Sequence, residues 1–353
     1  MEKVIFVIDS FKGCLSSAEA NAAAARGLLS AHPNCGVECV TVSDGGEGWL
    51  DAFDAALDCR RVEVPCHDPM MRRIVAPYLI YGNTAIIEIA RASGLTLLAP
   101  EERNPMRATS YGTGELVADA LKRGCKKLIV GLGGSATSDA GIGMLRAVVD
   151  NLAPKGQWDD IRQIIDVECV VACDVTNPLY GPDGAAAVFG PQKGATPEMV
   201  DALDNRAVRF AEFSARHFGR DMSDKPGAGA AGGLGYAFMQ YFNARQMPGI
   251  QLLLDTIGFD KLLCGADLVV TGEGSADRQT LMGKLPTGIM RRASAQGVPT
   301  LLLAGKVEDA ALLEREGFAK VLCINPPGLP LSEAMRKEVA AANISHIMAD
   351  VEV

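Results

Sequence analysis

A chain of 353 residues, 48% of them hydrophobic, has length for two domains and apolar material for their cores. A formal charge of −9, an isoelectric point near 5.1 and only 5% aromatic residues argue against a nucleic-acid binder, which needs a basic footprint or base-stacking platforms. The richest apolar stretch, Leu252 to Val270, is broken by Asp255, Asp260, Lys261 and Asp267, so no membrane association is expected.

Lys3 to Ile8 is short, apolar and β-branched, the pattern of a buried strand. Its apolar core ends at Asp9, too short for a secretion signal, and a cytoplasmic protein is expected. The ten cysteines then read as reduced thiols. Neither Cys35 with Cys39 nor Cys169 with Cys173 has the neighbours that would complete a zinc site. Ser16 and Glu19 form a capping-box signature, which predicts a helix from Ser17 to about Ser30. Val37 to Val42 is a second strand and Glu47 to Leu57 a second helix, so the chain opens βαβα with a parallel sheet.

The pattern changes at Ile74 to Tyr81 and Thr84 to Ala90, two strand-like runs separated by Gly82-Asn83, which predict an antiparallel hairpin and a mixed sheet. Further along, a helix is expected over Thr113 to Arg123 and strands at Lys127 to Leu132 and Cys169 to Cys173. Thr196-Pro197-Glu198 starts a helix that should reach about His217. Gly227 to Gly235 holds five glycines. Leu268 to Thr271, Thr300 to Ala304 and Val321 to Ile324 read as late strands, and Ser332 starts the last helix. The tail resembles the head while the middle does not. A discontinuous first domain, residues 1–68 and 286–353, with an inserted domain, residues 69–285, is therefore expected.

Four glycine-rich segments with polar side chains follow strand-like runs, where open α/β sheets carry their ligand loops. Asp9-Ser10-Phe11-Lys12-Gly13 places a lysine before a capped helix, either to meet an anion or as a solvated loop lysine. Asp44-Gly45-Gly46-Glu47-Gly48 has acids that would also serve as helix caps, but its three glycines point to close approach of a ligand. Gly133-Gly134-Ser135-Ala136-Thr137-Ser138-Asp139 suits polyphosphate. Gly272-Glu273-Gly274 is followed by Asp277 and Lys284, carboxylates for a divalent cation and a lysine for phosphate charge. Loops of this kind suggest phosphoryl transfer. No Walker A loop, dinucleotide fingerprint or protein-kinase set is present.

These loops, together with Tyr111-Gly112-Thr113-Gly114-Glu115, Ala172-Cys173-Asp174-Val175-Thr176-Asn177-Pro178-Leu179, Phe189-Gly190-Pro191-Gln192-Lys193-Gly194-Ala195-Thr196 and the Gly227 to Gly235 segment, resemble the bacterial type I glycerate kinase family from about Lys3 to Ile324. The resemblance implies a flavodoxin-like parallel-sheet α/β domain formed by both termini, an inserted mixed-sheet α/β domain and an active site in the interdomain cleft. It implies ATP-dependent phosphorylation of D-glycerate with Mg²⁺, giving 2-phosphoglycerate. Three departures stand out: Ser138-Asp139-Ala140-Gly141 where the family has Asn-Asp-Gly-Gly, Ser275 and Ala276 where it has arginine and a large aliphatic residue, and a shorter segment after Val149. Arg278 lies close enough in sequence to stand in for that arginine.

Under that resemblance, Asp174, with Asp44 second, would orient or deprotonate the attacking hydroxyl. Asp9, Ser10, Lys12, Gly45, Gly46 and Glu47 would hold glycerate. Gly133, Gly134, Ser135, Thr137, Asp139, Gly272 and Gly274 would hold the nucleotide, Glu273 or Asp277 the Mg²⁺, and Lys193 or Lys284 would offset developing charge. A kinase for another small hydroxy acid, such as tartronate or a longer aldonate, and a catalytically retired ligand-binding protein are the rival readings. The sequence leaves a homo-oligomer open.

Overall fold

The computed structural model of the chain describes residues 2–153, 166–282 and 285–351. Among them eleven strands form two sheets. In chain order the strands are β1 (Lys3–Ile8), β2 (Gly36–Cys39), β3 (Arg60–His67), β4 (Arg73–Tyr81), β5 (Thr84–Glu88), β6 (Lys127–Gly131), β7 (Glu168–Ala172), β8 (Arg245–Met247), β9 (Leu268–Ala276), β10 (Thr300–Val307) and β11 (Lys320–Cys323). The chain divides into two compact units. The first comprises Met1–Asp44, Asp51–Leu57 and Ile250–Val353, and the second Gly45–Leu50 and Asp58–Gly249.

The first unit carries a wholly parallel sheet in the order β11-β10-β9-β1-β2. Both faces of a parallel sheet are covered, and its inner strand β1 is accordingly apolar and fully buried from Val4 to Ile8. Along β10, Leu301 and Leu303 enter one cluster with Val4, Phe6 and Ile8, while Leu302 and Ala304 enter the other with Met290, Leu313 and Phe318. The Ser17–Ala31 helix starts as its sequence predicts: Ser16 Oγ accepts from Glu19 N, and the Glu19 carboxylate accepts from Ser16 N at 2.8 Å. That helix crosses the Lys337–Ala349 helix at Gly27, where an added Cβ would lie 2.1 Å from the Ser345 carbonyl oxygen. The expected single last helix from Ser332 is instead two, Leu331–Ala334 and Lys337–Ala349.

The second unit carries a mixed sheet in the order β3-β4-β5-β6-β7-β8. The predicted hairpin is present, with Tyr81 paired to Thr84 across Gly82-Asn83, and β5 through β8 are parallel. Strand β3 is an addition to the sequence reading. Its Val62, Val64 and Cys66 point into the core while Arg61, Glu63 and Pro65 face out. A proline within it is tolerated because β3 is an edge strand. The fold is thus α/β, with one parallel and one mixed sheet. No helix among the described residues is long and apolar enough to cross a membrane.

The five-glycine segment forms an unusual turn. Ala231, Gly232 and Gly233 all adopt left-handed conformations, with φ of 52°, 66° and 96°. The turn brings its backbone against the loop after β6: Ala140 N donates to Gly232 O at 2.9 Å, and a Cβ on Gly232 would lie 1.9 Å from the Thr137 carbonyl oxygen. Gly232→Ala combines a left-handed alanine with a backbone clash and is expected to cost about 3 kcal/mol or more. Urea unfolding measures this directly, and an unchanged midpoint would show that the loop yields instead.

Candidate active site

In the second unit, the loops that follow β5, β6 and β7 leave the carboxyl ends of adjacent parallel strands. The loop after β6 is pressed against the Gly45-Gly46 segment. Gly133 N donates to Gly45 O at 2.9 Å, and a Cβ on Gly133 would lie 2.3 Å from Gly46 Cα. Gly45 in turn sits over Ala172, the last residue of β7, at φ +99°. Glycines are therefore required here for backbone contact. The segment after β5 completes the arrangement: Ala136 N donates to Ser93 O and Leu95 N to Gly134 O, both at 2.8 Å. Sequence reasoning missed this Ser93-Gly94-Leu95 contribution, although the Ser-Gly pair is a turn signal.

Lys193 lies beneath the loop and is only 3% exposed. Its Nζ donates to Ser135 Oγ at 2.8 Å and to Thr137 O at 2.7 Å. Burial pushes its ammonium down to about 7, against the opposing pull of Asp139. Asp139 is turned to a structural task. Its Oδ2 accepts from Ser110 N at 2.8 Å, Ser110 Oγ at 2.9 Å and Gly143 N at 3.1 Å, and its Oδ1 accepts from Gly141 N at 3.1 Å. It thereby ties the starts of the Tyr111–Lys122 and Ile142–Leu152 helices together. Thr137 Oγ1 and Ser138 Oγ are buried without a hydrogen-bond partner among the described residues. Gly134 is exposed. Asp174 follows β7, is exposed, and accepts from Gly249 N at 3.1 Å.

In the first unit the acids gather at the carboxyl ends of three neighbouring strands, because β1 lies between β9 and β2. Asp9 follows β1, Asp44 comes after β2, and Glu273 is on β9. Burial, with Asp44 and more weakly Glu273 nearby, pushes the Asp9 carboxyl up to about 7, against the Ser10 amide and Lys12. Asp9 Oδ1 accepts from Ser10 N at 2.7 Å, and Glu273 Oε1 accepts from Thr280 Oγ1 at 2.5 Å. Lys12 is exposed at the tip of a turn closed by Phe11 N donating to Leu15 O at 2.8 Å. Asp277 Oδ1 caps its own short turn by accepting from Gln279 N at 2.7 Å, while Glu47, which belongs to the second unit, is exposed.

The Gly272-Glu273-Gly274 segment is strand rather than the expected loop. β9 runs on to Ala276 because β10 continues beside it and pairs through Lys306–Ser275 and Val307–Ala276. Gly272 is buried in the sheet, where a Cβ would meet the Leu303 carbonyl oxygen at 2.6 Å, whereas Gly274 faces open space. Ala276 belongs to the apolar cluster with Met290 and Phe318, Ser275 is exposed, and Arg278 pairs with Asp309 at 3.1 Å. Lys284 lies outside the described residues. Among those residues, no group of three or more His, Cys, Asp or Glu side chains is arranged to hold a metal ion.

The Asp9 shift has a sign that can be tested. A carboxyl raised from 3.8 to about 7 binds a proton in the folded protein between those values and not in the unfolded chain, so its stability contribution is intact below 3.8 and lost as pH rises through about 7. Asp9→Asn keeps an acceptor for Ser10 N and removes the penalty. It should stabilise the protein by about 1–3 kcal/mol at pH 8 in metal-free buffer and by almost nothing at pH 4. Equal effects at both pH values would show that Asp9 ionises normally.

Comparison with known proteins fits this geometry. The model of the glycerate kinase family matches residues 4–352. A glycerate kinase of Bacillus subtilis (strain 168) is 40% identical, over 94% of this chain and 92% of its own. A glycerate 2-kinase of Escherichia coli (strain K12) is 36% identical, over 95% and 93%. A crystal structure described as that of a glycerate kinase 2 from Salmonella typhimurium LT2 superposes with a TM-score of 0.82 at 36% identity, covering 99% of this chain and 96% of that one. With a parallel and a mixed α/β sheet, glycine-built loops at the strand ends and similarity along nearly its whole length, the chain belongs to the glycerate kinase family and is a kinase.

Proposed function

We propose that the protein transfers the γ-phosphoryl group of ATP, with Mg²⁺, to the 2-hydroxyl of D-glycerate and releases 2-phosphoglycerate and ADP. The observation that carries this reading is the loop after β6, built on close glycine contacts, backed by a buried lysine and carrying two hydroxyls with unmade hydrogen bonds. Such a loop suits phosphate oxygens, which supply the acceptors those hydroxyls lack. The name of the Escherichia coli relative, glycerate 2-kinase, supports the choice of hydroxyl.

In this reading Asp174 accepts the proton of the attacking hydroxyl as its oxygen bonds to the γ-phosphorus and the bond to the β–γ bridging oxygen breaks. Exposure at the end of β7 leaves its carboxylate accessible, and the Gly249 amide holds one of its oxygens in place. Asp44 is the second choice for that role. Lys12, at its exposed turn, pairs with the glycerate carboxylate, and Ser10, Gly45, Gly46 and Glu47 line the acceptor. Gly133, Gly134, Ser135 and Thr137 receive the nucleotide phosphates. Glu273 or Asp277 offers hard oxygens for Mg²⁺, with Asp9 at the end of the neighbouring strand β1. Mg²⁺ is commonly held by one or two carboxylates together with substrate phosphates. Bound there, the ion would neutralise charge on the transferring group. All ten cysteines are free thiols, which suits the reducing cytoplasm where ATP is abundant.

Coupled ADP release with ATP, Mg²⁺ and D-glycerate, followed by ³¹P NMR of the product, tests the proposal. One phosphorus–proton coupling to the C2 proton is expected, and coupling to two C3 protons would reassign the product as 3-phosphoglycerate. No glycerate-dependent turnover by a protein that binds ATP would overturn the substrate. Asp174→Asn keeps the bond from Gly249 and should lower kcat by about 10²–10⁴-fold with little change in KM for ATP. Near-wild-type turnover in that variant would remove Asp174 from the role of base.

A further inference from the structure

Lys193 presents a problem for any mechanism in which it touches phosphate. It is 3% exposed, and its Nζ is directed at two atoms of the loop after β6, Ser135 Oγ and Thr137 O. Its own position is held from the other side. It closes the Pro191–Lys193 turn, and the next residue, Gly194, lies against the Arg103 carbonyl, where a Cβ would be 2.5 Å from the oxygen. Extending the side chain toward a ligand would break both loop contacts and strand the loop above an emptied pocket.

The two contacts have directed consequences. Lys193 Nζ is the donor in both contacts, and in its ammonium form it has only donors, so Ser135 Oγ accepts from it. A hydroxyl that accepts from a cation has its own O–H left to donate elsewhere, and it is a stronger donor for being polarised. The second contact draws the Thr137 carbonyl toward Lys193. Because the peptide that follows is planar and trans, the Ser138 N–H points the opposite way. Arg206 repeats this on the next peptide, with Nη2 donating to Ser138 O at 2.8 Å.

We propose that Lys193 is a positioning residue that acts on the nucleotide through Ser135, fixing that hydroxyl as a phosphate donor and setting the orientation of the Thr137–Ser138 peptide, without itself touching phosphate. The inference rests on reading this loop as the nucleotide phosphate site.

The test is a double-mutant cycle of Lys193→Met and Ser135→Ala, read as the dissociation constant of Mg²⁺·ATP by calorimetry with no glycerate present. Binding is thus measured apart from glycerate turnover, and failure of the glycerate assignment leaves the cycle intact. Each single variant should bind roughly tenfold more weakly, and the double variant no more weakly than Lys193→Met, because the two side chains act as one unit. Losses that multiply to roughly a hundredfold in the double variant would overturn the proposal, since Lys193 would then reach the nucleotide independently. Unchanged binding by Lys193→Met would also overturn it, and a wild-type protein that binds no ATP would remove its premise. If Lys193→Met does not fold, Lys193→Gln, which keeps an N–H donor, carries the same cycle. A purely structural lysine would lower stability without coupling to Ser135.

Discussion

The second unit depends on backbone touching backbone. The loop after β6 is held on one side by Gly45 and Gly46 and on another by Gly232 and Gly233. At Gly133 and Gly232 even a methyl group would overlap main-chain atoms. Contact of this kind leaves the loop little freedom to adjust, because nothing flexible lies between the two chains. The polar groups that such packing would strand are met by Lys193, Arg206 and Asp139. Glycine packing thus shapes the loop, and charged side chains meet its Thr137 and Ser138 carbonyls while two of its hydroxyls keep unmade hydrogen bonds among the described residues.

The two units handle charge in opposite ways. Asp139 in the second unit is surrounded by amide and hydroxyl donors, and the loop it anchors presents N–H and O–H groups. In the first unit, Asp9, Asp44 and Glu273 gather at the ends of adjacent strands, and Asp9 is driven toward its neutral form. Each set thus belongs to its own unit: donors line the loop after β6, and carboxylates line the strand ends of the parallel sheet.

Much of this was legible in the sequence. The Ser16–Glu19 capping box, the Gly82-Asn83 hairpin and the Thr196-Pro197-Glu198 helix start are local signals, and local signals survive folding. Strand β3 was overlooked because its alternation is masked by charged outward positions and Pro65, which only an edge strand accepts. The Gly272-Glu273-Gly274 run looked like a loop because glycine signals turns, but a long neighbouring strand keeps it extended. Asp139 stands in the loop after β6, yet its carboxylate is taken up by two helix starts, one directly after it and one at Ser110, 29 residues away in sequence. Lys193 illustrates the same limit: its motif marks it as special, but only its surroundings show that it faces inward.

Strand β1 sits between β2 and β9, and its partner β9 begins at Leu268. The helix that follows β1 packs at Gly27 against the Lys337–Ala349 helix. During synthesis at about 5–20 residues per second, the first strand therefore waits roughly ten to fifty seconds for β9 and longer for the last helix. The second unit, nearly continuous in sequence, is complete before either arrives. The apolar run Val4 to Ile8, fully buried in the finished sheet, is without its β9 neighbour for that interval.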